Sequence, residues 1–383
     1  MKPLVSLRAA TSYDRAVIEA ALVDLLAPLG GMEAFVRPGQ KVLLKPNLLS
    51  AKAPEKAVTT HPEIVRAVIR MAQQAGGIVS VGDSPGVGSP RHVAARCGIL
   101  EVIEETGATF APFSESVKVR PKGATFHELE IARDILEAEV IINLPKLKTH
   151  QMMGFTCAVK NLFGAVVGMR KPRLHLQAGT DKAFFALMLL ELAEHVRPAL
   201  SIVDAVTGME GDGPGSGDPV HIGALLAGAD PLAVDTVAAD LVLMPPEQNW
   251  PQKIARQTGR YGSRIAEVET VGDALESLRP GSFRPSKTAD VNFGLPPFLK
   301  NRLRRSLTAL PAVDLSRCEV CGLCVKHCPP EAMTLAGGRL QIDYKRCIGC
   351  FCCQELCPHG ALLTRQGLLL RLSRFLQKRP KTT

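Results

Sequence analysis

The stretch RCIGCFCCQELCPHG, residues 346–360, contains five cysteines. Four of them follow the spacing C-x2-C-x2-C-x3-C and are succeeded by a proline: Cys347, Cys350, Cys353 and Cys357. The same spacing occurs 29 residues upstream, again with a proline after its last member: Cys318, Cys321, Cys324 and Cys328. Because each of these four cysteines has its counterpart at one fixed offset, the spacing indicates an internal duplication within a small domain.

This spacing is that of the bacterial ferredoxins, in which three cysteines of a run hold one 4Fe–4S cluster and the fourth binds the other cluster. We therefore predict two 4Fe–4S clusters with crossed ligands. The first would be held by Cys318, Cys321, Cys324 and Cys357. The second would be held by Cys347, Cys350, Cys353 and Cys328. Structural zinc prefers two separated C-x2-C pairs, and disulfides require an oxidising compartment, so both fit the pattern less well.

Three cysteines lie outside this pattern. Cys352 stands beside a predicted ligand, and we expect it to be a packed thiol that the clusters do not need. The alternative is that it replaces one of the four ligands of its loop. Cys97 and Cys157 stand alone in the chain, and we expect them to be buried apolar residues.

The size and charge of the chain limit its architecture and its partners. Its 383 residues can form one large domain and one small one. The net charge is +9, and two segments are especially basic: LKNRLRRSL (299–307) and RLSRFLQKRPK (371–381). A basic surface attracts an acidic redox partner, anionic lipid or nucleic acid. Because no helix-turn-helix or zinc-finger pattern is present, nucleic acid is not expected as a partner.

Two features bear on location. No apolar run reaches the roughly 18 residues that a membrane-spanning helix needs, and no signal peptide is recognisable, so we expect a cytoplasmic protein without a transmembrane segment. In GLLLRLSRFLQKRPKTT (367–383) the apolar and basic side chains fall on different faces of a helix. We expect the apolar face to pack on the protein itself. The alternative is peripheral contact with an anionic membrane.

The long N-terminal part alternates aliphatic strands with helices. Five segments are predicted to be buried strands: KVLLK (41–45), GIVSVG (77–82), AEVIINL (138–144), ALSIVDAV (199–206) and VHIGALLAG (220–228). Three segments are predicted to be helices: PEIVRAVIRMAQQAGG (62–77), KAFFALMLLELAEHV (182–196) and DPLAVDTVAADLVL (230–243). This alternation indicates an α/β fold, with a mostly parallel sheet flanked by helices on both faces.

Composition also suggests the domain boundaries. The proline-rich segment 279–311 breaks the strand–helix pattern. We predict an α/β domain over 1–290, a basic linker over 291–310, a small α+β ferredoxin-like domain over 311–372 and a basic tail over 373–383. Within the small domain, AMTLAGGRLQID (332–343) and ALLTRQGLLLR (361–371) are predicted to form matching hairpins.

Polar side chains gather where the predicted strands end. In α/β sheets, ligands bind outside the carboxyl ends of the strands, and basic and amide groups there suit an anionic substrate or cofactor. We predict that the site is formed by six side chains in particular: Lys45, Asp83, Lys146, His150, Lys160 and Asp204. The same loops also carry further candidates: Asn47, Ser84, Lys148, Asn161, Arg170, His175 and Glu210.

Six motifs in order give this N-terminal part a family resemblance: VLLKPNL, GDSPG, INLPKLKTH, CAVKNLFG, VDAVTGMEGDGP and GADPLAVD. Together they resemble the family called domain of unknown function 362, whose members often carry a C-terminal double-cluster ferredoxin module. The resemblance extends over roughly residues 1–290, and that to the ferredoxins over roughly 308–370. It implies that the strand-end loops form the site, but it assigns no reaction.

Three functions stay open at this stage. In the first, a ferredoxin-linked oxidoreductase, two clusters pass electrons between a substrate in the α/β domain and a redox partner protein or a small-molecule donor or acceptor. In the second, a non-catalytic sensor or relay, the α/β domain binds an anionic small molecule or a partner. In the third, the clusters only stabilise a small domain. Two clusters favour electron transfer, because one would be enough for stabilisation.

Overall fold

A computed structural model of the protein describes residues 2–86, 88–121, 125–126, 128–168, 170–286 and 308–367. The strands, in chain order, are β1 Leu4–Ala9, β2 Lys41–Pro46, β3 Ile78–Val81, β4 Thr109–Phe110, β5 Ser116–Val119, β6 Leu129–Ala132, β7 Val140–Leu144, β8 Lys146–His150, β9 Gly154–Thr156, β10 Leu200–Glu210, β11 Asp218–Gly228, β12 Glu269–Gly272, β13 Ala309–Val313, β14 Met333–Ala336, β15 Arg339–Ile342 and β16 Leu362–Gln366. Residues 291–307 of the predicted linker 291–310 and the tail 373–383 lie outside the described residues.

The α-helices are α1 Arg15–Leu26, α2 Pro62–Gln74, α3 Pro90–Arg96, α4 Ile99–Thr106, α5 Arg133–Glu137, α6 Ala158–Asn161, α7 Arg170–Ala178, α8 Lys182–Val196, α9 Pro231–Leu241, α10 Trp250–Gln257, α11 Leu323–Lys326 and α12 Cys352–Leu356. Short 3-10 helices occupy Ala27–Leu29, Met32–Ala34, Pro54–Lys56, Leu162–Ala165, Ile265–Glu267 and Leu275–Leu278. Within the described part of the chain, no helix is both long and apolar enough to cross a bilayer.

A central sheet organises the α/β domain, in the order β12-β1-β11-β10-β7-β2-β3-β4, with β8 paired to β10 and β9 paired to β8. Of the nine pairings described in this sheet, six are parallel and three are antiparallel. Apolar cores lie on both sides of the sheet. The predicted fold class, a mostly parallel sheet flanked by helices, is therefore confirmed.

Local sequence signals explain where the main helices begin. In α2, Pro62 occupies the first turn, and the His61 side chain accepts a hydrogen bond from Glu63 N. In α9, the Asp230 carboxylate accepts hydrogen bonds from two backbone amides of the first turn. Helix α8 is apolar on nearly all sides and is largely buried, as its sequence indicates.

Two polar segments that follow predicted strands are themselves part of the sheet. PKLKTHQ (145–151) contains β8, whose five residues are all buried. Residues 207–219 contain the ends of the antiparallel β10–β11 pair, which extends to Glu210 and Asp218. The polar side chains of β8 are buried because they pair with residues far along the chain, such as Asn47 and Asp204, and this pairing is not visible in a hydrophobic pattern.

The cysteine-rich domain contains two antiparallel strand pairs. β14 and β15 form the predicted hairpin over 333–342. β16 pairs with β13, from the start of the domain, so that Ala309 lies opposite Gln366. Residues 368–371 of the predicted hairpin over 361–371 lie outside the described residues, so that hairpin stays a prediction. The duplication thus repeats the cysteine positions. The β13–β16 pair joins the first strand of the domain to its last described strand.

The two domains share one apolar core. Ile348, Cys350 and Cys352 of the cysteine-rich domain belong to the same cluster of packed side chains as Phe163 and Phe185 of the α/β domain. This contact places α12 against the carboxyl ends of the central strands. The strand-end region is therefore closed on one side by the cysteine-rich domain.

Candidate functional site

A pocket lies between the carboxyl ends of the central strands and helix α12. Its cavity volume is about 70 Å³, enough for several water-sized groups. The α/β domain contributes the polar lining: Asn47, Asp83, Ser84, Lys148, His150, Thr156, Lys160, Asn161, Lys171 and His175. The cysteine-rich domain contributes Cys352, Glu355 and Leu356. The predicted location of the site, at the strand ends, thus coincides with a lined pocket.

A buried ion pair forms the floor of the pocket. Lys45 Nζ lies 2.7 Å from Asp83 Oδ1 and donates a hydrogen bond of 2.6 Å to the backbone oxygen of Asn161. Burial lowers the pKa of Lys45, and the charge of Asp83 partly offsets this effect. A Cβ at Gly164 would approach Asp83 Oδ1 to 1.9 Å, so only glycine allows the chain to pass over the pair.

Two further lysines use part of their hydrogen-bonding capacity on the protein. Lys148 Nζ donates to Asn47 Oδ1 and to the backbone oxygen of Val58, both at 2.7 Å. Lys171 Nζ donates to the backbone oxygens of Ser84 and Pro85, at 2.7 and 3.2 Å. Burial lowers the pKa of each of the two lysines to about 7. Because an ammonium group has three N–H donors, each keeps one for a ligand.

Lys160 differs from these two lysines. Among the described residues, no acceptor is hydrogen-bonded to its Nζ, which lies 5.4 Å from the centroid of the Phe163 ring. Burial lowers its pKa, while the nearby Glu355 carboxylate acts in the opposite direction. Its ammonium group is thus the cation of the pocket that is most open to an added anion.

Two histidines in the pocket are held neutral. His150 Nδ1 accepts hydrogen bonds from the backbone amides of Met152 and Met153 at 3.1 and 3.3 Å. Its Nε2 therefore carries the proton and lies 3.0 Å from Glu355 Oε1, although the contact lacks the alignment of a full hydrogen bond. His175 stacks on Phe185 at 4.2 Å. Burial lowers the pKa of His150 to about 4 and that of His175 to about 3.

Lys146 and Asp204 belong to a neighbouring network and do not line the pocket. Lys146 Nζ lies 2.8 Å from Asp204 Oδ2 and donates to Tyr13 Oη at 2.7 Å. Tyr13 in turn donates to Asp204 Oδ1 at 2.7 Å, and its ring stacks on that of His61 at 3.6 Å. Of the six predicted site residues, Asp83, His150 and Lys160 line the pocket, and Lys45 supports Asp83. Lys146 and Asp204 lie apart from it.

Sequence reasoning missed some of the pocket. Lys171 lies on α7, beyond the strand-end loops, and Glu355 lies among the cysteines of the other domain. The only sequence signal for Lys171 was its place in the basic segment RKPRLH (170–175). No signal points to Glu355, because its role depends on how the two domains pack. Tyr13 and His61, near the ends of other elements, were also missed.

The described cysteines of the two runs lie close together in the small domain. Cys318, Cys321, Cys324 and Cys357 line one small cavity with apolar walls. Cys328 lies close enough to Cys350 and Cys353 for their charges to interact. At equivalent positions of the duplication, Cys328 Sγ accepts a hydrogen bond from Ala332 N at 3.2 Å and Cys357 Sγ accepts one from Ala361 N at 3.3 Å. Such bonds to sulfur are typical of cluster ligands, so the donor set fits.

The fold and the cysteines together define an α/β protein with a C-terminal ferredoxin-type domain. The chain belongs to the family described as domain of unknown function (DUF362), whose model matches residues 42–240. A model of a 4Fe-4S dicluster domain matches residues 310–358, which supports the binding of iron–sulfur clusters. Both resemblances inferred from the motifs are therefore confirmed.

The chain is also similar to one known sequence and to two solved structures described here. A thylakoid-associated protein of Synechocystis sp. is 37% identical over 301 residues, which are 78% of this chain and 93% of that protein. The lactate racemase apoprotein of Thermoanaerobacterium thermosaccharolyticum is 14% identical with a TM-score of 0.42, over 62% of this chain and 57% of that one. A Thermotoga maritima protein is 13% identical with a TM-score of 0.39, over 61% and 60%. The chain spans less than two thirds of the length of either structural neighbour.

Proposed function

We propose that the protein is an iron–sulfur electron-transfer protein whose α/β domain binds an anionic substrate or cofactor beside the second cluster. One observation carries this proposal. The wall of the pocket includes Cys352, Glu355 and Leu356 of α12, and the same helix contains Cys353, a predicted cluster ligand. A ligand in the pocket would therefore lie next to a redox-active group.

Two 4Fe–4S clusters account for eight of the cysteines. The first is assigned to Cys318, Cys321, Cys324 and Cys357, and the second to Cys347, Cys350, Cys353 and Cys328. When bound, such clusters supply one-electron transfer at potentials set by hydrogen bonds and solvent exposure. Cys321 is exposed, whereas Cys347, Cys350 and Cys353 are buried. This difference favours exchange with an outside redox partner at the first cluster and contact with the pocket at the second.

The charges of the pocket favour an anion. Its two carboxylates already have partners: Asp83 is paired with Lys45 and Glu355 lies against His150. Lys148, Lys160 and Lys171 have no carboxylate partner among the described residues and retain free N–H donors. Groups that only donate are best satisfied by a ligand rich in acceptors, such as a carboxylate or a phosphate.

The neutral histidines bear on whether the protein is an enzyme. His175 Nδ1 is buried without a hydrogen-bond partner among the described residues, and it lies in the pocket wall. Negative charge added to a ligand there would raise the pKa of this imidazole, so that it could take up a proton from solvent and pass it to the reduced ligand. This feature favours a ferredoxin-linked oxidoreductase. A non-catalytic ligand-binding sensor or relay is the alternative, and it needs no proton donor.

The first experiment is anaerobic purification followed by iron and sulfide analysis. We expect about eight of each per chain, the sum for two clusters. The dithionite-reduced protein is then mixed with a panel of small carboxylates and phosphate esters, and reoxidation is followed at visible wavelengths. An oxidoreductase is reoxidised by at least one compound. Iron near four per chain, or zinc in its place, would end the two-cluster proposal.

A matched pair of variants tests the pocket. We expect Lys160→Ala to weaken the binding of sulfate about tenfold or more, because one charge-assisted hydrogen bond contributes about 1.5–3 kcal/mol. Lys118→Ala is the control, since Lys118 pairs with Glu128 on the surface. Calorimetric titration measures both. Equal affinities of the two variants would remove Lys160 from the site.

The location of the protein is a separate part of the proposal. We place it in the cytoplasm, with peripheral membrane association as the alternative, because the relative at 37% identity is thylakoid-associated by name. The amphipathic pattern of residues 367–383 is the feature that would mediate such contact. Flotation with anionic liposomes distinguishes the two. Salt-sensitive binding that is lost on truncation after Arg371 establishes membrane contact, and its absence supports docking of the tail on the protein.

A further inference from the structure

The pocket between the two domains is small. Its cavity volume is about 70 Å³, whereas sites for drug-sized ligands usually measure about 300–1,000 Å³. One water molecule needs at least about 10–15 Å³ of such a volume, so the cavity holds about five groups of that size. A free oxyanion with four oxygens, such as sulfate or phosphate, matches this space, and a sugar phosphate or a nucleotide exceeds it.

The lysines that line the cavity determine how many acceptors a ligand should bring. Lys148 and Lys171 each use two N–H donors on protein oxygens, so each keeps one. Lys160 keeps all three, because no described residue accepts a hydrogen bond from its Nζ, which lies near the Phe163 ring. A carboxylate offers about four lone pairs to these donors, whereas an anion with four oxygens can accept from all of them.

Apolar side chains lie where the pocket approaches the surface. Most of the polar lining is buried, and the half-exposed part of the lining includes Leu49, Gly86 and Leu356. A Cβ at Gly86 would lie 3.4 Å from Leu356 Cδ2 and 4.0 Å from Leu49 Cδ1, so a leucine from each domain flanks this glycine. Gly86 N also donates a hydrogen bond of 3.2 Å to the backbone oxygen of Leu49. This part of the rim is therefore apolar and closely packed.

We propose that the pocket binds a compact oxyanion with four oxygens, and that Leu49 and Leu356 exclude anions that carry a larger organic group. The proposal rests on the function proposed above and narrows the class of its ligand. A sugar hydroxyl placed against these leucines would lose its hydrogen bonds to water without replacement, and its bulk would collide with their side chains. The leucines thus determine specificity, whereas the three lysines supply affinity.

The charge of the pocket also suits such an anion. Asp83 is paired with Lys45, which leaves the Glu355 carboxylate to balance the three lining lysines. A doubly charged anion, such as sulfate or phosphate, offsets the surplus of positive charge. This attraction is strong in a buried region because screening is weak there. An organic substituent adds bulk to the anion but no charge, so it gains nothing from the lysines.

The test is a calorimetric titration of the full-length, cluster-loaded protein under anaerobic conditions. The probes are inorganic phosphate, glycerol phosphate and adenosine monophosphate, which present the same charged group with an increasing organic substituent. Leu49→Ala and Leu356→Ala widen the rim from one domain and from the other. The control is Leu136→Ala, since Leu136 is 45% exposed on α5, away from the pocket. Iron content is measured for each variant, because Leu356 precedes the proposed ligand Cys357.

We expect the wild type to bind phosphate and to bind glycerol phosphate about tenfold more weakly or less, a discrimination that a shaped pocket achieves against a small added group. Adenosine monophosphate should bind more weakly still. Leu49→Ala should recover most of the lost affinity for glycerol phosphate and change the affinity for phosphate by no more than about twofold, because it removes only a steric barrier. Leu356→Ala should do the same with iron content unchanged, and Leu136→Ala should match the wild type.

Other outcomes overturn the size limit. Glycerol phosphate that binds the wild type as tightly as phosphate shows that larger anions enter the pocket. Equal affinities of Leu49→Ala, Leu356→Ala and Leu136→Ala for glycerol phosphate show that the two leucines do not exclude it. Failure of the proposed function looks different: the wild type itself then lacks iron or binds none of the three probes.

Discussion

Glu355 Oε1 lies 3.0 Å from His150 Nε2, and the two side chains belong to different domains. The side chain of His150 is completely buried, and that of Glu355 is 12% exposed. His150 is fixed by two backbone amides on its other nitrogen. The pair therefore ties helix α12 to strand β8 at the edge of the pocket.

Removing the carboxylate should weaken this connection. In Glu355→Ala the buried Nε2–H of His150 loses the carboxylate that lies 3.0 Å away, and we expect a loss of about 1–3 kcal/mol in the free energy of unfolding. Denaturant unfolding under anaerobic conditions measures it. Glu104→Ala is the control, because Glu104 pairs with Arg91 on the surface at 62% exposure of both side chains. A loss no larger than that of the control would show that the pair does not hold the domains.

The Lys146–Asp204 pair should be structural. Lys146→Ala leaves the Asp204 carboxylate buried with Tyr13 and the His61 amide as its partners, and we expect a loss of about 3–5 kcal/mol in the free energy of unfolding. Thermal unfolding monitored by circular dichroism provides the measurement. Sulfate affinity should change little in the fraction that stays folded. A stable variant that no longer binds sulfate would return Lys146 to the binding site.

Anion binding should weaken as the pH rises. Burial lowers the pKa of Lys148 and of Lys171 to about 7, so their ammonium forms predominate below that pH and are lost above it. Sulfate is the suitable probe, because its own charge is constant between pH 6 and about 8.5. We expect its affinity to fall by about tenfold or more over this interval, since one pKa unit corresponds to about 1.36 kcal/mol. An affinity independent of pH would mean that both lysines stay charged.

The crossed ligation predicts which cluster each substitution damages. Cys328→Ser should remove the cluster of Cys347, Cys350 and Cys353, although Cys328 lies in the other run. Cys357→Ser should instead remove the cluster of the first run. Each variant should retain about four of eight irons. Paramagnetic resonance of the reduced protein identifies the remaining cluster. If Cys328→Ser and Cys318→Ser lose the same signal, the ligation is not crossed.

Much of the α/β fold follows from short-range patterns. The predicted strand KVLLK corresponds to β2, and the predicted helix 182–196 corresponds to α8 at both ends. Such segments are decided by aliphatic runs and by capping residues close in sequence. Strand β8 was missed because its lysines and histidine are buried by pairing with residues far along the chain, such as Asp204 and Glu355.

In the candidate site, too, residues close to predicted strands could be predicted, whereas residues brought in by long-range packing could not. Lys45, Asp83, His150 and Lys160 were predicted because they follow strands or lie in adjacent loops. Glu355 and Cys352 enter the pocket only through the packing of one domain on the other. No pattern within the cysteine run distinguishes a residue that faces its own cluster from one that faces a neighbouring domain. The separation of Lys146 and Asp204 from the pocket likewise depends on the position of Tyr13.

The shared apolar core restricts how this chain can be rearranged. Ile348, Cys350 and Cys352 pack with side chains of the α/β domain, and an added Cβ at Gly86 would lie 3.4 Å from Leu356. A ferredoxin from another source, spliced on at the linker, would bring matching cysteines but not this contact surface. The cysteine-rich domain therefore cannot be exchanged for another ferredoxin domain without changing the surface on which it packs. Its sequence and that of the strand ends must change together, and a chimera would succeed only if the loop from Ile348 to Leu356 were transplanted with its acceptor surface.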